Sequence, residues 1–463
     1  MLMTLFPALV AIVVHFLVIV CAKPKLRPAV ALLWITSLYY SVLGPSYWLF
    51  FKDGEFLGVN WTDEMPRATA YVGISALCLA LAIMALDTLL SAARKSVGKV
   101  STGSHDYSLI NDIDWGKSVR IWQAVFALGL ISTLVVFGQI MRGAADAESI
   151  EKLNLVAYQF SDLLIPCIVF VIGARGLDKL TLPMLVSFTA YAAIVGFRYK
   201  LVLVYFPLVV IYLFPVLGPK NVSKIKGSLI IIGAAVGFSV LTITRSKFSG
   251  IDFQALSAAS ADDMLYGFFA ESNTIFGLIG VLHESVDAKI YVHLDPIRDT
   301  LLELVPRAIL PDRVTGSYLG TPLERLIAEE AMNSGTAYPY LGELLLMGGH
   351  FALALGTVIL AGVYLSVSRL FERLPVGAYR LANAGYGLIA VYFGYYYFSR
   401  GYLPQTFKAF IFIVVPFVVM VAFVGHRRAV MGGEVGSISP GSAHRSSNII
   451  GGRTRLNISE SRK

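Results

Sequence analysis

The sequence predicts an all-α, polytopic helical membrane protein, and three observations carry that prediction. Hydrophobic residues make up 56% of the 463-residue chain, charged residues 15%, and the mean hydropathy is +0.69. That balance leaves too little charge to cover the surfaces of soluble domains. Apolar runs of about 20 residues recur along the chain, the length a helix needs to cross ~30 Å of hydrocarbon. A single long polar stretch, Arg245 to Tyr338, interrupts the alternation.

Eleven spans follow in order: 3–21, 29–51, 69–90, 121–140, 155–174, 181–197, 201–218, 227–244, 339–365, 380–398 and 405–425. The first has no basic residues before it; its positive cluster (Lys23, Lys25, Arg27) comes after, and IVCAK offers no small-residue cleavage site. That order reads as an uncleaved span with its N-terminus outside. The fifth span is the weakest, because Asp162 lies within it. Spans six and seven are joined by the tight turn GFRYK (Gly196 to Lys200), which puts Arg198 and Lys200 at the bilayer boundary.

Charge sets the orientation. Segments placed inside by this count hold 23 Lys plus Arg, against 15 outside, seven of which lie in the long loop where the rule carries little weight. The N-terminus is therefore expected outside, the C-terminus inside, and the loop at 245–338 outside. Residues 1–425 form the helical bundle with that loop inserted. The Gly/Ser/Arg-rich remainder, 426–463, lacks apolar periodicity and is expected to be a disordered cytoplasmic tail beside the anionic leaflet. The net charge of +8 thus records membrane orientation rather than a nucleic-acid surface. Cys21, Cys78 and Cys167 all fall in apolar runs, so they read as packing residues without a disulfide or metal framework.

Several segments carry chemistry. Asp262 to Ser285 in the loop shows helical apolar spacing (Phe268, Ile275, Ile279, Leu282), with Glu271 on the stripe's edge and His283 and Glu284 closing it. It predicts an amphipathic helix resting on the outer leaflet, dipping into it, or covering the bundle as a lid. Ile297 to Arg313 predicts a second amphipathic helix, ended by Pro306 and Pro311 and flanked by Arg307 and Arg313. Guanidinium groups bond phosphate oxygens bidentately and also anchor loops at membrane interfaces. Seven basic residues against thirteen acidic ones make the loop net acidic, so anion binding must rest on individual arginines.

FSRGYLPQ (Phe398 to Gln405) adds Arg400 in another outer turn, and YPYLGELLLMGGH (Tyr338 to His350) places Glu343 about one turn inside the membrane boundary. The aromatic run Tyr386 to Tyr402, with Tyr397 and Tyr402 at its outer end, is an interface belt by default and also a surface on which sugar rings stack. No P-loop, dinucleotide fingerprint, HExxH or nucleophile elbow occurs, so no cofactor and no metal are expected.

Together, the span count, the GFRYK turn, the late outer loop with VPRAILPD, the span opening LGELLLMGG, and SRGYLPQ before the last span resemble the Wzy-type O-antigen and exopolysaccharide repeat-unit polymerases. The resemblance covers roughly residues 180 to 410. It implies a metal-independent glycosyltransferase of the bacterial inner membrane. Such an enzyme transfers a growing glycan from undecaprenyl pyrophosphate to a lipid-linked repeat unit on the periplasmic face. Its implied partners are the lipid-linked oligosaccharide, membrane lipids, a flippase and a chain-length regulator. The leaving pyrophosphate needs cations, for which Arg198, Arg307, Arg313 and Arg400 are the candidates, with Lys200 beside them. The acceptor hydroxyl needs a general base, for which Glu271, Glu343 and His283 are the candidates.

Three rivals stand beside this reading. An O-antigen ligase shares the layout and donor but changes the acceptor. A metal-dependent glycosyltransferase of similar architecture would place paired acids in its first outer loop, where WTDEMPR holds Asp63 and Glu64. A polysaccharide or lipid transporter would carry charged or broken helices near mid-membrane.

Overall fold

The computed structural model describes residues 2–97, 113–141, 155–195, 198–217, 268–305, 338–398 and 403–426, with isolated positions between 225 and 326. The described residues are about 83% helical. Among the described residues, six helices are long and apolar enough to cross a membrane: Arg27–Phe51, Met65–Ala93, Gly116–Gln139, Ala157–Arg175, Tyr340–Phe371 and Leu403–Ala422. Shorter apolar helices cover Leu5–Cys21, Thr181–Ala193 and Lys200–Tyr212. Large side chains that a soluble protein would hide face outward on these helices, Phe351, Leu17 and Leu134 among them. That is the expected surface of helices solvated by lipid. Most of the span expected at 227–244, and the tail from 427 onward, lie outside the described residues.

In chain order, α1 (Leu2–Cys21) packs on α2 (Arg27–Phe51) and α3 (Met65–Val97). A small antiparallel hairpin, β1 (Glu55–Phe56) and β2 (Val59–Asn60), joins α2 to α3. Strand β3 (Ile113–Asp114) precedes α4 (Gly116–Met141) and pairs with β4 (Gly425–His426), tying the end of the last helix to the α3–α4 connection. The fifth span, one helix by length, has a local break in its α-helical hydrogen bonding at Asp162 and Leu163, where bonds to the third residue back join α5 (Leu155–Ser161) to α6 (Leu164–Arg175). Next come α7 (Thr181–Val195) and α8 (Arg198–Tyr212). Asp178 accepts the backbone N–H groups of Leu180 and Thr181 at 2.9 Å, and these bonds pull its carboxyl down to about 2.

The later elements are α9 (Thr274–Leu282), α10 (Asp295–Leu304), α11 (Tyr340–Phe371), α12 (Tyr379–Phe398) and α13 (Leu403–Ala422). Helix α12 is enclosed by α2, α6, α8 and α11, which is why its aromatic run is buried rather than spread at an interface. Close approach sets its sequence: a Cβ on Gly387 would stand 2.6 Å from the Pro207 backbone of α8. Buried Asn383 reaches the chain beyond α8, accepting the N–H groups of Val216 and Leu217 at 3.0 Å and donating to the Leu217 carbonyl.

The polar-loop expectations change in two places. All nine residues of α9 are buried, packed against α3 and α11, so the segment has no solvated face and is a helix inserted into the bundle. At nine residues, about 14 Å, it is too short to cross the bilayer. The second helix begins at Asp295, two residues before Ile297, with Pro296 in its first turn, and ends at Leu304 with Val305 extended; 306–313 lie outside the described residues. It lies on α13, where Lys408 pairs with Glu303, and leaves Leu294 and Leu301 exposed.

Candidate functional site

The candidate site forms at the end of the bundle that carries the β1–β2 hairpin. Trp48 donates from its indole Nε1 to Ser272 Oγ at 3.0 Å, and Phe56 of β1 stacks on Phe276 of α9 with centroids 4.4 Å apart. These aromatic contacts lock the hairpin and α9 together, so the residues after α9 meet those that open α3.

There the helix continues as a π-turn, His283–Asp287, a feature frequent at functional sites. Arg67, in the first turn of α3, donates from both terminal guanidinium nitrogens to Asp287 at 2.7 Å each. This bidentate contact holds the Asp287 carboxyl below its ordinary range. His283 lies between two carboxylates, with Nδ1 3.5 Å from Asp287 and Nε2 3.6 Å from Glu64. These separations fit electrostatic contact rather than formed hydrogen bonds. All four side chains stay between a third and a half exposed, so a hydroxyl-bearing ligand can reach them.

One turn beyond Arg67 on α3, the Tyr71 hydroxyl meets His350 Nε2 of α11 at 2.7 Å. His350 follows the kink of α11 at Gly348 and Gly349. Gly349 has φ +62°, and a Cβ there would sit 3.2 Å from the Tyr291 hydroxyl. From the Tyr71–His350 pair an apolar groove of about 540 Å³ runs between α3 and α11.

The candidate base Glu343 lies apart from this cluster. It is wholly buried at the start of α11, and its Oε2 accepts the Leu403 backbone N–H at 2.7 Å. That bond caps the start of α13 from a neighbouring helix. Of the other two candidate bases, His283 is 33% exposed in the cluster. Glu271 belongs to a 3₁₀ turn, Ala270–Asn273, and its side chain lies outside the described residues.

Lys200 also departs from its expected place. Helix α8 already begins at Arg198, and Lys200 is 0% exposed, with Nζ 2.8 Å from Asp162 Oδ1 at the α5–α6 break. The ring faces of Tyr158 and Tyr191 lie 4.6 and 5.4 Å from Nζ, and Ser161 Oγ accepts from it at 3.2 Å. A lysine so enclosed is a core ion pair rather than an interfacial cation. Tyr397 is 1% exposed in the core of α12. Arg307, Arg313, Arg400 and Tyr402 lie outside the described residues, as does the Arg198 side chain.

Sequence reading missed Arg67, Tyr71, Asp287 and His350 as partners. Two local signals were present: Glu64 and Arg67 three apart, and His283 and Asp287 four apart, the spacings that share a helix face. Nothing local connects the two pairs, which lie more than 200 residues apart. Among the described residues, no group of three His, Cys, Asp or Glu side chains could hold a metal ion. Comparison with models of protein families, with curated proteins and with solved structures finds no match to this chain. The class defined by fold and composition is thus a helical protein with membrane-length apolar helices.

Proposed function

We propose that the chain is a metal-independent glycosyltransferase of the bacterial inner membrane. It polymerises undecaprenyl-pyrophosphate-linked repeat units into O-antigen or exopolysaccharide on the periplasmic face. The reading includes the eleven-span, N-out/C-in topology, with the hairpin end outside. Its main support is the exposed His283 between Glu64 and Asp287 at that end of the bundle, beside an apolar groove.

In this reading His283 is the general base. The acceptor hydroxyl displaces Glu64 from Nε2 and gives its proton to that nitrogen while its oxygen attacks the anomeric carbon. The bond from that carbon to the pyrophosphate oxygen breaks, and the pyrophosphate leaves with the electron pair. Asp287, fixed by Arg67, faces Nδ1 and stabilises the imidazolium, the role a carboxylate plays beside a catalytic histidine. Arg198, Arg307, Arg313 and Arg400 remain the candidate partners of the pyrophosphate, and a flippase and chain-length regulator its cellular partners.

The test is polymer length on gels from cells carrying His283→Gln, Arg67→Ala or Arg400→Ala. Loss of long chains while single repeats still reach the surface supports a polymerase. Loss of every surface glycan favours a ligase or export protein, and unchanged polymer sinks the assignment. One observation favours a transporter as the second reading: the buried Asp162–Lys200 pair at the irregular turn within the fifth span. Glycan or lipid transport by a variant unable to polymerise would establish it.

A further inference from the structure

We infer that α10 lies in the leaflet at the hairpin end of the bundle, with Leu294, Ile297 and Leu301 against phospholipid acyl chains. The inference goes beyond the chemistry proposed for His283 and does not depend on it. Its first support is that the helix is turned inside out. Leu294 at the N-cap, Ile297 and Leu301 share one face by their spacing of three and four, and all are exposed, Leu301 at 61%. The opposite face carries the buried Asp299 and Thr300, and Glu303, which pairs with Lys408 of α13. A helix washed by water turns its polar face outward and its apolar face to the core. The reverse arrangement suits a helix whose outer surroundings are hydrocarbon. The charges suit them as well, because each charged side chain of α10 has an ion-pair partner. Arg298 meets Asp295 and Asp299 at 3.1 Å each, and Glu303 meets Lys408. Pairing is the condition on which a low-dielectric boundary tolerates charge. No cation of α10 is left over for an anionic headgroup, so the partner is the acyl region itself.

Depth gives a second, independent support. Helix α13 has 20 residues, about 30 Å, which matches the hydrocarbon thickness with little to spare. Glu343 accepts the Leu403 N–H, so it marks on α11 the level at which α13 begins. Val292, at the entry to α10, donates its N–H to the Leu346 carbonyl at 2.8 Å. Leu346 is three residues deeper than Glu343, about 5 Å along α11. Helix α10 then packs along Leu403–Ala409, the first turns of α13. Lys408 there stands five residues in, about 8 Å. Both depths fall within the ~5–10 Å at which an interfacial helix seats its apolar face. Phe407, beside Lys408 on α13, is exposed at the same level.

The test places one nitroxide at a time, through Leu294→Cys, Ile297→Cys and Leu301→Cys, on full-length protein whose three native cysteines are replaced, in phosphatidylcholine vesicles. Glu55→Cys on the hairpin and Phe351→Cys on α11 serve as the water and lipid references, both being exposed. Power-saturation EPR reads collisions with oxygen, which concentrates in hydrocarbon, and with a water-soluble nickel chelate. The three labels on α10 are expected to favour oxygen, as Phe351→Cys does, while Glu55→Cys favours the chelate. Chelate access equal to that at Glu55→Cys overturns the inference, because the face then looks into water. Access by neither reagent also overturns it, because another part of the chain or a second copy then covers the face. If the cysteine-free chain fails to fold, unaltered protein is labelled in nanodiscs of phosphatidylcholine bearing a diazirine near its acyl carbonyl. Adducts on Leu294, Ile297 and Leu301 uphold the inference, and their absence overturns it. Neither measurement uses polymer synthesis, so failure of the polymerase reading leaves this result standing, and the reverse.

Discussion

Lys200 Nζ and Asp162 Oδ1 lie 2.8 Å apart, joining the first turn of α8 to the break between α5 and α6. The lysine is wholly buried, and the faces of Tyr158 and Tyr191 share its charge. A buried pair of this kind holds an interrupted helix in place because neither charge can stand alone in a low-dielectric core.

Lys200→Met is therefore expected to lower stability by about 3–5 kcal/mol, because it strands a buried carboxylate. Lys200→Met with Asp162→Leu should recover most of that loss. Thermal unfolding of detergent-purified variants measures both. A double variant as unstable as the single one would show that the aromatic contacts of Lys200, not its charge, hold the break.

Glu343 makes a different prediction. Gln keeps a side-chain oxygen to accept the Leu403 N–H, whereas Ala leaves that donor unpaired beside a buried cavity. Glu343→Ala should cost about 1–3 kcal/mol more than Glu343→Gln, the usual cost of a stranded buried donor. If Glu343 were instead the catalytic base, Gln would abolish polymer while leaving the melting temperature high. Comparing polymer and melting temperature in the two variants separates anchor from base.

How much of this was legible in the sequence follows from which contacts are local. Runs such as those of α3, α4, α11 and α13 declare membrane-length helices because composition and length alone decide them. The burial of α9 was not legible. TIFGLIGVL looks the same whether its polar neighbours lie on a leaflet or α3 and α11 close around it, and only the tertiary packing decides. The sequence places Glu343 just inside the membrane and Lys200 at its boundary, yet what holds each side chain is Leu403 and Asp162, partners 60 and 38 residues away. Arg67 and Asp287, 220 residues apart, have no sequence signal that joins them.

The Arg67–Asp287 pair gives a pH prediction. The depressed folded carboxyl makes the pair stabilising above the unfolded carboxylate range, near 3.9, and that contribution is lost as pH falls through the lower folded value. Because both side chains are well exposed, the effect on stability is small, within the ~0–1 kcal/mol of surface pairs. Arg67→Gln should melt slightly below the unaltered protein at pH 7, and the gap should close in acid. A gap that widens in acid would reverse the sign and remove Arg67 as the cause.

His283 carries the sharpest functional prediction. If its imidazole takes the acceptor proton, His283→Gln should slow polymerisation by about 10²–10⁴-fold, the range for a lost general base, with little change in donor binding. Asp287→Asn should slow it less, since it weakens imidazolium stabilisation without removing the base. A purely structural role for Asp287 would instead lower the melting temperature in step with the rate. Polymerisation rates in proteoliposomes, set beside the melting temperatures of the same variants, decide between the two. A full rate in His283→Gln would move the search for the base to Glu271.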